Sequence, residues 1–192
     1  MKNILCFGDS NTWGYQPVAC TRYPFETRWT GALQTLLGSE YRIIEEGLNG
    51  RTSASDEPGR KYRSGAEYFP MLLECHRPID LVVIMLGTND LKSIFDLSVE
   101  QIAQNTKKLC QMVLDNDYPE NDSAQVLLIA PVHVAELPYE DELLFANAKE
   151  KSRDFACEFN KVADELGIHF MDASQIVKTT NADGLHWTAE QH

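Results

Sequence analysis

The parts of this sequence that could do chemistry are a serine, a histidine and an aspartate lying near opposite ends of the chain. In Ile4-Leu5-Cys6-Phe7-Gly8-Asp9-Ser10-Asn11, four apolar residues run straight into a Gly-Asp-Ser turn. That pattern reads as a buried strand with a hydroxyl at its C-terminal tip, where open α/β sheets bind ligands. Asp9 and Ser10 would also suit a plain helix cap, so the turn alone does not decide. A serine hydroxyl is a poor nucleophile until a base takes its proton. Of the five histidines, only His186 has an acid three positions before it, in Asp183-Gly184-Leu185-His186. On a turn, that offset brings the carboxylate to one imidazole nitrogen and leaves the other for Ser10. At the same offset His76, His133 and His169 have Leu, Ala and Leu, and they read as a helix end, a loop and a strand start.

Two further positions could stabilise a developing negative charge. Gly50 closes the run Glu45-Glu46-Gly47-Leu48-Asn49-Gly50, and lacking a Cβ it lets a ligand approach its backbone N–H. Asn89, in Gly87-Thr88-Asn89-Asp90, offers a side-chain amide. With the N–H of Ser10 these would make an oxyanion hole, in which losing one donor typically costs about 3 to 4 kcal/mol.

Such a site needs a scaffold that brings these positions to one edge. Strands are predicted at residues 4–7, 41–46, 80–86, 125–130 and 168–171, and Asp80–Leu86 is the clearest buried one. A continuous apolar run of that kind belongs in a parallel sheet covered on both faces. Helices are predicted from Trp29 to Leu37, around Tyr68 to Cys75, after the Ser98/Gln101 capping box, and as one long helix from about Glu142 to Leu166. Residues 15–27 and 54–63 read as loops. Strands alternating with helices argue for a three-layer α/β/α domain over residues 1–192, without repeat or linker. Thr188 and Gln191 form another capping-box signature, so a helix is expected to begin at Thr188 and to be truncated after about one turn.

Composition narrows the partners. A formal charge of −12, with no run of Lys or Arg, argues against nucleic acid and against an anionic membrane surface. The opening residues leave no room for a signal peptide, and no apolar run approaches a membrane span. Five scattered cysteines without a C-x-x-C pair suggest reduced thiols, no zinc site and a cytoplasmic location. No nucleotide-binding glycine pattern is present.

Taken in order, Gly8-Asp9-Ser10-Asn11, Gly50, Gly87-Thr88-Asn89-Asp90 and Asp183-Gly184-Leu185-His186 resemble the four sequence blocks of the SGNH (GDSL-type) hydrolases. Arg28-Trp29-Thr30-Gly31 and the run from Glu45 to Thr52 resemble the arylesterase/acyltransferase branch more closely. The resemblance implies a flavodoxin-like, five-stranded parallel sheet of order 2-1-3-4-5 and ester hydrolysis without metal or cofactor. It implies Ser10 as nucleophile, His186 as base, Asp183 as its orienting partner, and Ser10, Gly50 and Asn89 as the oxyanion hole. It also implies a homo-oligomer acting on a small ester, and a terminal helix beside the histidine loop. The rival within the same chemistry is a carbohydrate O-acetyl esterase; the rival outside it is a non-catalytic binding domain. Asn11, Trp13, Tyr15, Arg51 and Lys92 are the candidate substrate contacts, with Tyr23, Phe25 and Trp29 as further candidates for an apolar acyl pocket. Core or loop packing is the competing account for the aromatics, and solvation for the two cations.

Overall fold

The computed structural model describes residues 1–116, 124–180 and 182–192. Its organising strand is β1 (Lys2–Gly8), whose residues Ile4 to Phe7 are all buried. Side chains alternate across a strand, so these four serve two faces. Leu5 and Phe7 join the larger core beneath α2 (Gly65–Cys75), α3 (Val99–Leu114) and α4 (Phe155–Leu166). Ile4 and Cys6 join a smaller core with Val83, Met85, Ile129 and Trp187, packed by Trp29, Leu33 and Leu37 of α1 (Trp29–Leu37). The expected three layers follow from that division.

The remaining strands are β2 (Tyr41–Gly47), β3 (Leu81–Met85), β4 (Gln125–Ala130) and β5 (His169–Asp172). All pairs are parallel, and the order is β2-β1-β3-β4-β5, which is the predicted 2-1-3-4-5. Register matters more than order here. Gly8 pairs with Gly47 on one side and with Met85 on the other, so three strand ends finish level. The turns after them therefore share one edge.

Helix boundaries follow local chemistry. Ser98 and Gln101 exchange both capping-box bonds at the start of α3. Thr188 N–H donates to Gln191 Oε1 at 2.8 Å, and His192 N–H donates to Thr188 O at 3.2 Å, so residues 188–192 form a single hydrogen-bonded turn. Between α1 and residues 173–177 and 187–192 the smaller core opens into an apolar groove of about 560 Å³, lined by Trp29, Leu36, Ile176 and Trp187 among others.

Two sequence expectations are corrected. The helix expected from 142 to 166 is broken: Tyr139–Glu142 and Ala148–Lys151 are single turns, and α4 begins only at Phe155. A 3₁₀ turn at Ser152–Asp154 makes the second interruption, and Ser93 holds the backbone of the first. Its N–H and Oγ donate to the carbonyls of Leu144 and Leu143, both at 2.8 Å, while its Oγ accepts from Ala146 N–H at 3.0 Å. Asn147 then turns left-handed at φ 64°. Phe145, Ala148, Phe155, Phe159 and Val162 are buried nonetheless, so the apolar pattern located the core but not the path. Residues 15–27, expected as plain loop, hold a small antiparallel hairpin, Tyr15–Gln16 with Thr21–Arg22, and a 3₁₀ turn at Phe25–Thr27.

Candidate active site

Ser10 opens a one-turn helix, Ser10–Trp13, directly after β1. Asp9 Oδ1 accepts from Asn11 N–H at 3.0 Å, and Gly14, at φ 83°, closes the turn by donating its N–H to Ser10 O. The hydroxyl is thus held at the strand tip by caps at both ends of a single turn. Full burial pushes the Asp9 carboxyl up to about 6, against the pull of Asn11 N–H, His186 and Arg51.

His186 arrives from the far end of the chain. Its Nε2 lies 2.8 Å from Ser10 Oγ, and its Nδ1 lies 2.6 Å from Asp183 Oδ2. The other carboxylate oxygen, Asp183 Oδ1, accepts from the N–H groups of Leu185 and His186, each at 3.0 Å. Burial works against the Asp183 carboxylate, but the imidazole and those two N–H groups hold it below the usual carboxylate range. Gly184 makes the turn possible: it sits at φ +71°, and a Cβ there would fall 2.5 Å from Glu136 O. The imidazole lies against the Tyr15 ring, tilted at 48° with centroids 4.5 Å apart.

Gly50 lies in the turn after β2, at φ +80°, where Arg51 N–H donates to Leu48 O at 3.0 Å. Leu48 N–H donates to Gly8 O at 3.1 Å, tying that turn to the end of β1. Asn89 follows β3, and its Nδ2 donates to Arg51 O at 3.1 Å. A primary amide carries two hydrogens, so one remains for a ligand while the other fixes the group's direction.

The predicted substrate contacts divide. Tyr15 touches the imidazole, whereas Trp13 lies under the Arg22 guanidinium at 5.0 Å. Arg51, expected among the substrate contacts, is only 6% exposed; it donates to Gly8 O at 2.9 Å and to Glu46 O, and lies over the Phe7 ring, so its guanidinium is occupied by the protein itself. Burial pulls its guanidinium down to about 10, against the support of Glu46 and Asp9. Lys92 is likewise withdrawn. It is 4% exposed and its Nζ lies 2.7 Å from Glu57 Oε2, so it braces the loop at 54–63. Asn11 is also buried and bonds to the histidine loop. Among the proposed pocket aromatics, Trp29 packs in the smaller core, Tyr23 meets the His192 ring, and Phe25 lies under Arg28.

Sequence reasoning missed one supporting group. Asp90 is fully buried and accepts from Ser53 N–H at 3.0 Å and from Ser53 Oγ, joining the turn after β3 to the segment after Gly50. Burial pushes its carboxyl up to about 7, eased by the Ser53 bonds and reinforced by Asp9. The signal lay inside the Gly-Thr-Asn-Asp word already noted. Among the described residues no group of three or more His, Cys, Asp or Glu is placed to hold a metal ion.

A hydroxyl, an imidazole and a carboxylate in line, with amide donors nearby, can activate an oxygen nucleophile against a carbonyl carbon. Comparison with solved structures points the same way. A carbohydrate acetylesterase from Sinorhizobium meliloti is 40% identical, with a TM-score of 0.94, over 100% of this chain and 93% of that one. The aryl esterase of M. smegmatis is 36% identical, with a TM-score of 0.95 and the same coverage. At 22% identity and a TM-score of 0.60, AlinE4, an SGNH-hydrolase family esterase, shares the fold over 88% of this chain and 75% of its own. No curated protein matched the sequence. The model of the GDSL-like lipase/acylhydrolase family matches residues 6–192, and with these relatives it shows that the chain belongs to that family.

Proposed function

We propose that this carboxylic ester hydrolase cleaves short acyl esters, acetyl and aryl esters foremost, through an acyl-enzyme on Ser10. The observation that carries the reading is the unbroken line from Ser10 Oγ to His186 Nε2, 2.8 Å, and from His186 Nδ1 to Asp183 Oδ2, 2.6 Å. Ser10 Oγ attacks the ester carbonyl carbon as its proton passes to His186 Nε2, and Asp183 stabilises the imidazolium. The carbonyl oxygen, now negative, takes hydrogen bonds from the N–H groups of Ser10 and Gly50 and from Asn89 Nδ2. On collapse the C–O bond to the alcohol breaks, and the leaving oxygen takes the proton from His186. Water then attacks the acyl-enzyme, giving its proton to His186, which returns it to Ser10 as the acid departs. An alcohol in place of that water gives acyl transfer, which belongs to the same proposal.

A carbohydrate O-acetyl ester is the second reading, favoured by the 40% identity to the S. meliloti acetylesterase. It shares every step above and differs only in the alcohol. Trp13 and Tyr15 remain the proposed substrate contacts from the expected set, Tyr15 by its contact with the imidazole. We place the enzyme in the cytoplasm as a homo-oligomer: support for the first is five cysteines, all free, and for the second only the family resemblance. No helix among the described residues is long and apolar enough to cross a membrane.

The test is covalent labelling with a fluorophosphonate, followed by peptide mapping. Modification at Ser10, absent in Ser10→Ala, supports the assignment; labelling elsewhere, or none, overturns it. Turnover of phenyl acetate against acetate release from acetylated sugars decides between the two alcohols.

A further inference from the structure

We infer that Asn11 is a positioning residue that sets the reach between Ser10 and His186, an inference that rests on the esterase reading above. The nucleophile and the base come from opposite ends of the chain, 176 residues apart, so the distance between them is set by whatever ties their two turns together. Asn11 is such a tie. Its Nδ2 donates to Leu185 O at 3.2 Å, and its Oδ1 accepts from Trp187 N–H at 3.3 Å. These are the backbone groups on either side of His186. The residue next to the nucleophile thus holds the two neighbours of the base.

Three features make this more than a surface contact. Asn11 is 4% exposed, so solvent cannot readily replace its partners. Its own backbone N–H donates to Asp9 Oδ1, which fixes the turn from which its side chain projects. And the loop offers one acceptor and one donor, Leu185 O and Trp187 N–H, a pairing that a carboxamide matches and few other side chains can. The family is named for Gly-Asp-Ser-Leu, whereas this chain reads Gly8-Asp9-Ser10-Asn11. Leucine branches at the same carbon as asparagine but is bulkier and has neither donor nor acceptor, so here hydrogen bonds stand at a position where the family's own word has an apolar group.

The consequence is kinetic rather than a matter of substrate affinity. Loosening the loop moves Nε2 relative to Oγ, and a misplacement of about 1 Å can cost about 100-fold in rate. Substrate binding at the mouth of the site changes far less, so the loss falls on kcat and not on KM.

The experiment compares Asn11→Leu and Asn11→Asp with the parent enzyme. It reads kcat and KM for phenyl acetate, the rate constant for fluorophosphonate labelling of Ser10, and the melting temperature. Asn11→Leu leaves Leu185 O and Trp187 N–H unpaired; kcat and the labelling rate are expected to fall together by about 10- to 100-fold while KM stays within about twofold. Asn11→Asp sets a carboxylate against Leu185 O at neutral pH. Once protonated it has the donor and the acceptor of the amide again, so its rate relative to the parent is expected to rise as pH falls from 8 to 5. The titratable and charged groups around its turn are Asp9, which accepts from its N–H, Arg51, which faces Asp9 from the turn after β2, and Asp183 and His186 in the loop; the parent carries all four, so the ratio cancels their contribution to first order. A simple loss of fold would produce no such recovery. Should Asn11→Leu not fold, the Asn11→Asp ratio alone decides. A leucine variant that folds and labels within twofold of the parent, an effect confined to KM, or a pH-independent Asn11→Asp ratio overturns the inference. A parent enzyme that does not label at Ser10 overturns the esterase reading itself, a separate result.

Discussion

The two halves of the site are assembled from different materials. In one, Ser10, Asn11, Asp183 and His186 are joined by hydrogen bonds among a hydroxyl, an imidazole, a carboxamide and a partly accessible carboxylate. In the other, the turn at Gly50 and the amide of Asn89 rest on groups that carry or could carry charge in deep burial: Arg51 against Gly8 O, Asp90 against Ser53, and Lys92 against Glu57. The first half must move a proton and needs groups that exchange one at neutral pH. The second must not move at all, since pre-aimed donors are worth most when they need no rearrangement as charge develops. Buried ionic anchors suit that task because breaking one leaves an unpaired group in a low-dielectric interior.

The comparison is broken most severely in the proton-moving half. Ser10→Ala is expected to lower kcat for phenyl acetate by about a million-fold, and Asp183→Asn by about ten-thousand-fold, because the amide stabilises the wrong tautomer. Protonated His186 cannot accept from Ser10, so the parent loses activity on acidification, as a pH–rate profile will show. Neither substitution breaks a contact of the other half, so melting temperature is expected to change little beside the loss of rate.

Asn89→Ala comes next. One lost donor to the oxyanion is expected to lower kcat by about 100- to 1000-fold with KM nearly unchanged. Arg51 O loses its partner as well, at a cost of about 1 kcal/mol in stability. Steady-state kinetics beside a denaturant titration separates the two effects.

What could be read in the sequence and what could not follows from range. Asp183 reaches His186 within three residues, and Ser10 sits at the end of its own strand, so both were legible from local spacing. The strands of the sheet were located within a residue or two, because continuous apolar runs state their burial directly. What was not legible shares one cause. Arg51 was expected at the substrate, yet it bonds to Gly8, 43 residues earlier. Lys92 pairs with Glu57, 35 residues away, and the first break in the long helix is held by Ser93, 50 residues before Leu143. A polar side chain shows its type in the sequence but not its partner, and in a parallel α/β fold partners lie one crossover or more away. Asn11 is the extreme case, its amide committed 174 residues downstream.

Asp90→Asn sharpens the contrast through stability rather than rate. Burial raises the carboxyls of Asp90 and Asp9 to about 7 and about 6, above the ordinary value of 3.8. The native state therefore binds protons more tightly than the unfolded chain, and that contribution is full below pH 3.8 and lost as pH rises through 6 to 7. Asp183 has the opposite sign: its lowered pKa contributes above the unfolded value and is lost in acid. Melting temperature of the parent is expected to fall between pH 5 and 8 more steeply than that of Asp90→Asn, which keeps one titrating group fewer. Equal slopes would show that Asp90 carries no such linkage.

The smallest effect is expected at Lys92, and it tests how far the second half extends. Lys92 pairs with Glu57, Glu57 and Arg60 flank the Pro58-Gly59 turn, and Arg60 Nη2 donates to Asn49 O at 3.2 Å. A Cβ on Gly50 would fall 2.7 Å from that same Nη2, so the brace ends against the oxyanion turn itself. Lys92→Met keeps the aliphatic stem but removes the charge. Glu57 keeps Arg60 at 3.3 Å, so the cost should stay near 1 to 2 kcal/mol, below the roughly 3 to 5 kcal/mol of a buried charge left alone. Because Arg60 is nearly half exposed and its ion pair is screened, only a few-fold of that should reach kcat. A hundredfold loss of kcat/KM with an unchanged melting temperature would return Lys92 to the substrate and erase the distinction between the two halves.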